Sequence, residues 1–213
     1  MGNCRGSSGR TNGRYSGGGV NPDDIVSERD MIVERGERMQ EVDDVLTVSR
    51  DLLDMYGNNV PLQQFMIAEL KPGSQGVIGY YDGSNIAINQ RFMNTAALEQ
   101  AYAESVKSGF HPSNGSKSAL QAVTSHEFGH AANDAVAKRM GVSLDQAADR
   151  IVAEARKQTP HRGVVQMASK ISTYATQSNA EAVAEAFADV YCNGKSARKE
   201  SHAIVNVLNS YLK

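Results

Sequence analysis

Three features are scarce in this sequence of 213 residues: cysteine, net charge and long apolar runs. Two cysteines, Cys4 and Cys192, cannot build a disulfide framework, so we expect a reducing compartment and a cytoplasmic location by default. A formal net charge of −2 gives no indication of a nucleic-acid-binding or membrane-binding surface. No apolar run reaches the ~18–20 residues that span a bilayer, and the polar N-terminus lacks the apolar segment of a signal peptide.

The composition divides the chain into a tail and one domain. Residues 1–20 are rich in Gly, Ser and Arg and have almost nothing to bury, so they are predicted to be a disordered tail. Residues 21–213 are enough for a single domain, since 40% of the chain is apolar. Within it, residues 21–57 are predicted to be a helical N-terminal extension that starts near Pro22 and has an intermittent apolar face.

The periodicity changes after that extension. Residues 62–70 and 76–90 are rich in β-branched and aromatic residues, and the second stretch predicts a hairpin that turns at Asp82-Gly83-Ser84. From residue 94 the pattern is helical almost to the end. The predicted helices cover about 94–108, 117–139, 143–158, 163–172, 179–192 and 197–212. A few strands followed by a helical majority indicate the α+β class.

The helix predicted for residues 117–139 contains the heptapeptide SHEFGHA. Its histidines, His126 and His130, are four residues apart, so on a helix both imidazoles can bind one zinc ion. Glu127 projects about 100° around the axis, where it can reach a water on the open side of the metal. Zinc-promoted hydrolysis needs these groups, but the pattern has only three fixed letters. An ordinary pair of packed or solvated histidines remains the alternative unless a third ligand exists.

Residues 172–191, STYATQSNAEAVAEAFADVY, offer that third ligand. Glu181 and Glu185 share one helix face, and Ser178 or Asn179 can cap the helix that carries them. Glu181 would complete a His, His, Glu set, and Glu185 could accept a hydrogen bond from a ligand histidine. Taken alone, the segment would first be interpreted as a solvated acidic stripe on a helix. Next to HEFGH, the ligand interpretation is preferred.

The combined pattern is HEFGHA, then Ser-x-Tyr, an Asn five residues after that Tyr, and ExxAEAF. It resembles the catalytic domain of the anthrax lethal-factor-like zinc peptidases, whose gluzincin-type relatives also occur in bacterial toxins and phage head-associated proteins. The resemblance covers about residues 120–190. It implies a zincin-like domain with a small N-terminal sheet or hairpin, an active-site helix and a helical C-terminal part.

The resemblance also implies roles for individual residues. His126, His130 and Glu181 would be the ligands of a Zn²⁺ cofactor, and Glu127 would be the general base. Tyr174 would stabilise the oxyanion or protonate the leaving amine, with a half-buried core tyrosine as the alternative. Glu185 would hydrogen-bond a ligand histidine. Three further histidines lack ligand spacing and are predicted to be surface residues: His111, His161 and His202.

The preferred interpretation is therefore a zinc-dependent metalloendopeptidase with a protein or peptide substrate. Zinc would acidify its water, and Glu127 would remove the proton so that hydroxide attacks the peptide carbonyl. The segment from residue 85 to 90 is predicted to be an edge strand that pairs with the extended substrate. Its residues proposed for substrate binding are Asn85, Ile86, Ala87 and Ile88.

Two alternatives stay open. The first alternative is a phage- or mobile-element-associated structural or interaction protein. The second is a toxin or effector that is delivered to a host. In the first, the zincin domain is a scaffold with little turnover, and the tail or the helical extension docks a partner. Retention of Glu127 argues against that scaffold, because a structural metal site needs no base. The second has the same chemistry as the preferred interpretation and differs from it in location.

Overall fold

The computed structural model describes residues 5–8, 25–30, 40–70, 77–92 and 95–213. These residues form one sheet and a helical majority that mostly follows it, which confirms the predicted α+β class. The strands are β1 (Arg5–Ser8), β2 (Ile25–Asp30), β3 (Gln64–Leu70), β4 (Val77–Tyr81) and β5 (Asn85–Asn89). The helices are α1 (Gln40–Tyr56), α2 (Thr95–Lys107), α3 (Ala119–Met140), α4 (Leu144–Lys157), α5 (Val164–Ala168), α6 (Asn179–Asn193) and α7 (Lys199–Leu212). In these ranges, none of the helices combines the length and apolar character needed to cross a membrane.

The strands form one mixed sheet in the order β1-β4-β5-β3-β2. Strands β4 and β5 are an antiparallel hairpin whose turn includes Asp82, Gly83 and Ser84, as predicted. One carboxylate oxygen of Asp82 accepts hydrogen bonds from the backbone N–H groups of Ser84 and Asn85, at 2.8 and 2.7 Å. Gly83 has φ +102°, a conformation that favours glycine. Local side-chain chemistry therefore determines the turn.

Strand β5 lies inside the sheet and is not the edge strand that was predicted. Its backbone pairs in parallel with β3 on one side and antiparallel with β4 on the other. Ile86, Ala87 and Ile88 are fully buried, the continuous apolar burial typical of an interior strand. Because Asn85–Asn89 pairs on both sides, no free main-chain edge remains there for a substrate.

The N-terminal part differs from its prediction in two short segments. Ile25–Asp30, which was assigned to the helical extension, is strand β2 and pairs antiparallel with β3. Arg5–Ser8, which was assigned to the disordered tail, is strand β1 and pairs in parallel with β4. In both cases the neighbouring strand supplies backbone hydrogen bonds that outweigh a weak local pattern. The other residues of the predicted tail lie outside the described residues.

Helix α3 runs through the centre of the core and is buried almost from end to end. A capping box between Ser118 and Gln121 starts it, and Gly141 in the left-handed conformation ends it. Its closest neighbour is α6: a Cβ atom on Gly129 would lie 2.7 Å from Ala184 Cα and 3.0 Å from Phe187 Cβ. A side chain at position 129 would therefore collide with backbone, so glycine sets the distance between the two helices.

The variant Gly129→Ala tests this packing constraint. In a helix interior the change from Gly to Ala ordinarily stabilises by up to ~1 kcal/mol. Here we expect a net destabilisation of about 1–3 kcal/mol, because α6 must move away from α3. Equilibrium denaturation measures the effect. The control is Gly163→Ala, where a Cβ would meet nothing within 4 Å. A Gly129→Ala midpoint equal to that of the parent would refute the constraint.

Candidate metal centre

Two helices bring the three predicted metal ligands together. His126 and His130 lie one turn apart on α3, and Glu181 lies in the first turn of α6. The α6 start is fixed by Ser178, whose Oγ accepts the backbone N–H of Glu181 at 3.1 Å. The ligand side chains are buried, with His126 at 5%, His130 at 0% and Glu181 at 1% exposure. Such burial makes a solvated histidine pair or acidic stripe untenable.

The three ligand atoms have the spacing of a metal site. His126 Nε2 lies 3.2 Å from His130 Nε2 and 3.2 Å from Glu181 Oε2. His130 Nε2 lies 3.4 Å from Glu181 Oε2. A tetrahedral ion with bonds of about 2.0–2.1 Å separates its ligand atoms by ~3.3–3.4 Å. The three atoms thus match one face of such a tetrahedron, and this buried group could hold a metal ion.

Glu185 lies one turn after Glu181 and orients the first histidine. Its Oε1 accepts a hydrogen bond from His126 Nδ1 at 2.9 Å, and its Oε2 accepts one from Ser172 Oγ at 2.7 Å. An ionised carboxylate only accepts, so the proton of a neutral His126 sits on Nδ1 and Nε2 is left for the ion. Burial alone would raise the pKa of Glu185, but His111 and His126 lower it to about 2.

His111 is a member of the site that the sequence interpretation missed, since it was predicted to be a surface residue. It is 7% exposed, and its Nδ1 lies 3.1 Å from Oε1 of Glu185. The two partners are 74 positions apart in the sequence, and this explains the error, because helical spacing reveals only neighbours three or four positions apart. His161 is also paired, with its Nε2 2.7 Å from Glu200 Oε1, but it is not part of this cluster.

Glu127 is a buried carboxylate next to the ligand atoms. It is 0% exposed, and neither of its oxygens has a partner in hydrogen-bonding geometry. Burial raises its pKa to about 8, while the charge of His126 and the nearby backbone N–H of Tyr81 oppose the rise. An orphaned buried carboxylate requires an explanation, and proximity to a site for a cation or a reacting water supplies one.

Tyr174 lies in the turn before α6, next to the three candidate ligand side chains. It is 2% exposed, and its ring centroid is 5.9 Å from that of His126. Burial and the charges of Glu181 and Glu127 raise its pKa, so the hydroxyl stays protonated and can donate a hydrogen bond. Both the predicted catalytic role and the alternative of a core tyrosine are compatible with this buried position, so burial does not distinguish them.

The predicted substrate strand is not placed for its role. Asn85, Ile86, Ala87 and Ile88 belong to the interior strand β5, so substrate pairing along their main chain is ruled out. The neighbouring strand β4 packs directly on α3 beside the site. There the missing side chain of Gly79 leaves room for Glu127, whose Cγ lies 3.2 Å from the position a Cβ would take.

Comparisons with known proteins add no relative. No protein-family model matches the chain, and neither the curated proteins nor the solved structures give a significant match. The resemblance to lethal-factor-like peptidases therefore remains a prediction from the motif residues alone.

Metal binding should release protons. The number released per ion depends on the protonation of the buried groups at the site. Burial alone would lower the pKa of His126, but Glu181 and Glu185 raise it well above its usual value. The metal-free imidazole is therefore protonated at pH 7, and an ion at Nε2 replaces that proton. We expect about one proton released per ion from the Glu127→Gln variant. The parent should release more, because a cation also lowers the pKa of Glu127 from about 8.

Titration calorimetry in buffers of different ionisation enthalpy measures this release. Because the ion and a proton compete for His126, metal affinity should also weaken by about tenfold for each pH unit below the pKa of His126. His202→Ala, a change outside the cluster, should leave the proton count unchanged. Tight binding without proton release would contradict the assignment of His126 as a ligand.

Proposed function

We propose that this protein is a zinc-dependent metalloendopeptidase with a gluzincin-type site. The observation that carries the proposal is the buried convergence of His126, His130 and Glu181 beside the unpartnered carboxylate of Glu127. Structural zinc sites use four protein ligands, whereas three ligands with a neighbouring base are typical of hydrolytic sites. The motif resemblance to lethal-factor-like peptidases points to the same chemistry and to a protein or peptide substrate.

Zinc is the ion that best fits the ligand set. Two imidazole nitrogens and one carboxylate oxygen at tetrahedral spacing are the set found in many zinc hydrolases. When bound, zinc would supply a Lewis acid that polarises a carbonyl group and makes a water molecule acidic. The protein contributes the dry surroundings and the fixed orientation of His126 through Glu185.

Glu127 is suited to move the proton. In the metal-free site its pKa of about 8 lies close to neutral pH, where a general base and acid can both take up and return a proton. A cation in the ligand triangle would lower that pKa and favour the ionised base. Glu127 would remove a proton from the attacking water and then deliver it to the leaving amine of the cleaved peptide bond.

Tyr174 is suited to stabilise charge in the transition state. Its raised pKa keeps the phenol protonated, and its ring lies beside His126 and near Glu181. A hydroxyl donor in a buried site can stabilise the negative charge that develops on the carbonyl oxygen. We therefore assign Tyr174 as the oxyanion donor in this proposal.

The variant Glu127→Gln tests the base. It should retain one zinc ion per chain but hydrolyse peptides about 10²-fold more slowly, or worse, because the amide cannot accept the proton. Glu181→Ala should lose the metal as well, which separates binding from catalysis. Elemental analysis and a peptide-library assay, with and without chelator, give both values. Parent-like cleavage by Glu127→Gln would overturn the mechanism, and a metal-free parent would overturn the proposal.

The variant Tyr174→Phe distinguishes a catalytic tyrosine from a core one. Removing a transition-state donor should lower kcat by about 10- to 10³-fold with zinc content unchanged. A purely structural hydroxyl would instead cost only the ~1 kcal/mol of one hydrogen bond in stability, with no change in rate. Single-turnover cleavage by both proteins at equal zinc content decides between them. Equal rates would remove Tyr174 from the mechanism.

A further inference from the structure

Glu185 is shared between two imidazoles, of which only one belongs to the ligand set. Its Oε1 accepts from His126 Nδ1 at 2.9 Å and lies 3.1 Å from His111 Nδ1. Its Oε2 accepts from Ser172 Oγ at 2.7 Å. The three contacts come from different parts of the chain: α3, the α2–α3 connection and the segment before α6. Together they leave this carboxylate little freedom to rotate.

The α2–α3 connection that carries His111 is itself fixed to the site. The backbone N–H of Thr173 donates to Gly109 O at 2.9 Å, and that of Tyr174 donates to Phe110 O at 3.0 Å. Gly109 has φ +74°, which lets the chain turn from α2 into this pairing. The connection is therefore held by the same turn that carries Tyr174.

The ring of His111 is packed between aromatic side chains. It stacks on Tyr102 with a centroid distance of 5.5 Å and an interplanar angle of 5°. Its centroid also lies 5.2 Å from that of the Tyr174 ring, with an interplanar angle of 63°. These contacts hold the ring plane, and with it the direction in which Nδ1 points. A phenylalanine could make the same contacts, but it has no N–H group for Glu185.

We propose that His111 is a positioning residue of the metal centre, which holds Glu185 by its Nδ1–H so that Glu185 orients His126 towards the ion. The proposal rests on the metal site assigned above. Removing the direct hydrogen-bond partner of a ligand histidine, which is Glu185 here, typically weakens metal binding by 10–100-fold. His111 acts through Glu185 and touches none of the three ligand atoms described here.

Two substitutions separate the N–H donor from the aromatic ring. His111→Phe keeps the stack on Tyr102 and Tyr174 but removes the donor. His111→Asn loses the ring but keeps an N–H donor, since its amide nitrogen, like Nδ1 of histidine, is bonded to Cγ. The matched control is His161→Phe, which removes another His–Glu contact, that with Glu200, away from the metal centre.

Cobalt(II) is the probe, because its absorption spectrum reports ligand geometry and its affinity can be measured by chelator competition. We expect His111→Phe to bind cobalt about tenfold more weakly with an altered spectrum, the low end of the range for direct partners, and His111→Asn and His161→Phe to stay within about threefold of the parent. Circular dichroism and denaturation midpoints establish that each variant is folded. If His111→Phe does not fold, His111→Leu, which also lacks the donor, takes its place in the comparison with His111→Asn.

Each remaining outcome opposes the inference. Parent-like cobalt binding by His111→Phe overturns it, and so does a loss in His111→Asn as large as that in His111→Phe. Failure of the parent itself to bind cobalt would instead refute the metal site. Peptide cleavage is not needed for any of these measurements, so the inference and the proposed peptidase activity can fail separately.

Discussion

The site depends on one steric constraint, the close approach of α3 and α6 at Gly129 and Ala184. Gly129 lies in the turn between His126 and His130, and Ala184 lies in the turn between Glu181 and Glu185. This close approach therefore involves the same turns of α3 and α6 that carry the histidines and the glutamates of the cluster. Because a Cβ on Gly129 would meet backbone at 2.7 Å, any larger residue would separate the histidines from the glutamates. The packing of the core and the geometry of the site have the same cause.

Electrostatics give a second reason for a cation at this point. Glu181 and Glu185 are buried with lowered pKa values, so the interior holds two carboxylate charges. Without a metal, a proton on His126 offsets only part of that charge, although its two nitrogens contact both carboxylates. Buried charges are stable only when they are paired. A divalent ion that replaces one proton adds a further positive charge where the imbalance lies.

The sequence predicts the features that depend on neighbours along the chain. Helical spacing places His126 beside His130 and Glu181 beside Glu185, and Asp82 with Gly83 predicts the hairpin turn. It does not predict pairings between distant segments. The interior position of β5 requires β3 as a second neighbour, and the contact between His111 and Glu185 crosses 74 residues. Strand β2 was missed for the same reason, since its pairing with β3 outweighs its local helical pattern.

The environment of Glu127 bears on the choice between a catalytic and a purely structural interpretation of the cluster. A buried carboxyl group without hydrogen-bond partners destabilises the fold by ~1–3 kcal/mol, even when it is protonated and neutral. A structural metal site gains nothing from that residue, because the three ligands and Glu185 already account for its geometry. Natural proteins retain such destabilising groups mainly where activity requires them. The buried, unpartnered carboxyl group of Glu127 is thus the feature of the cluster that favours the proposed catalytic role over a purely structural one.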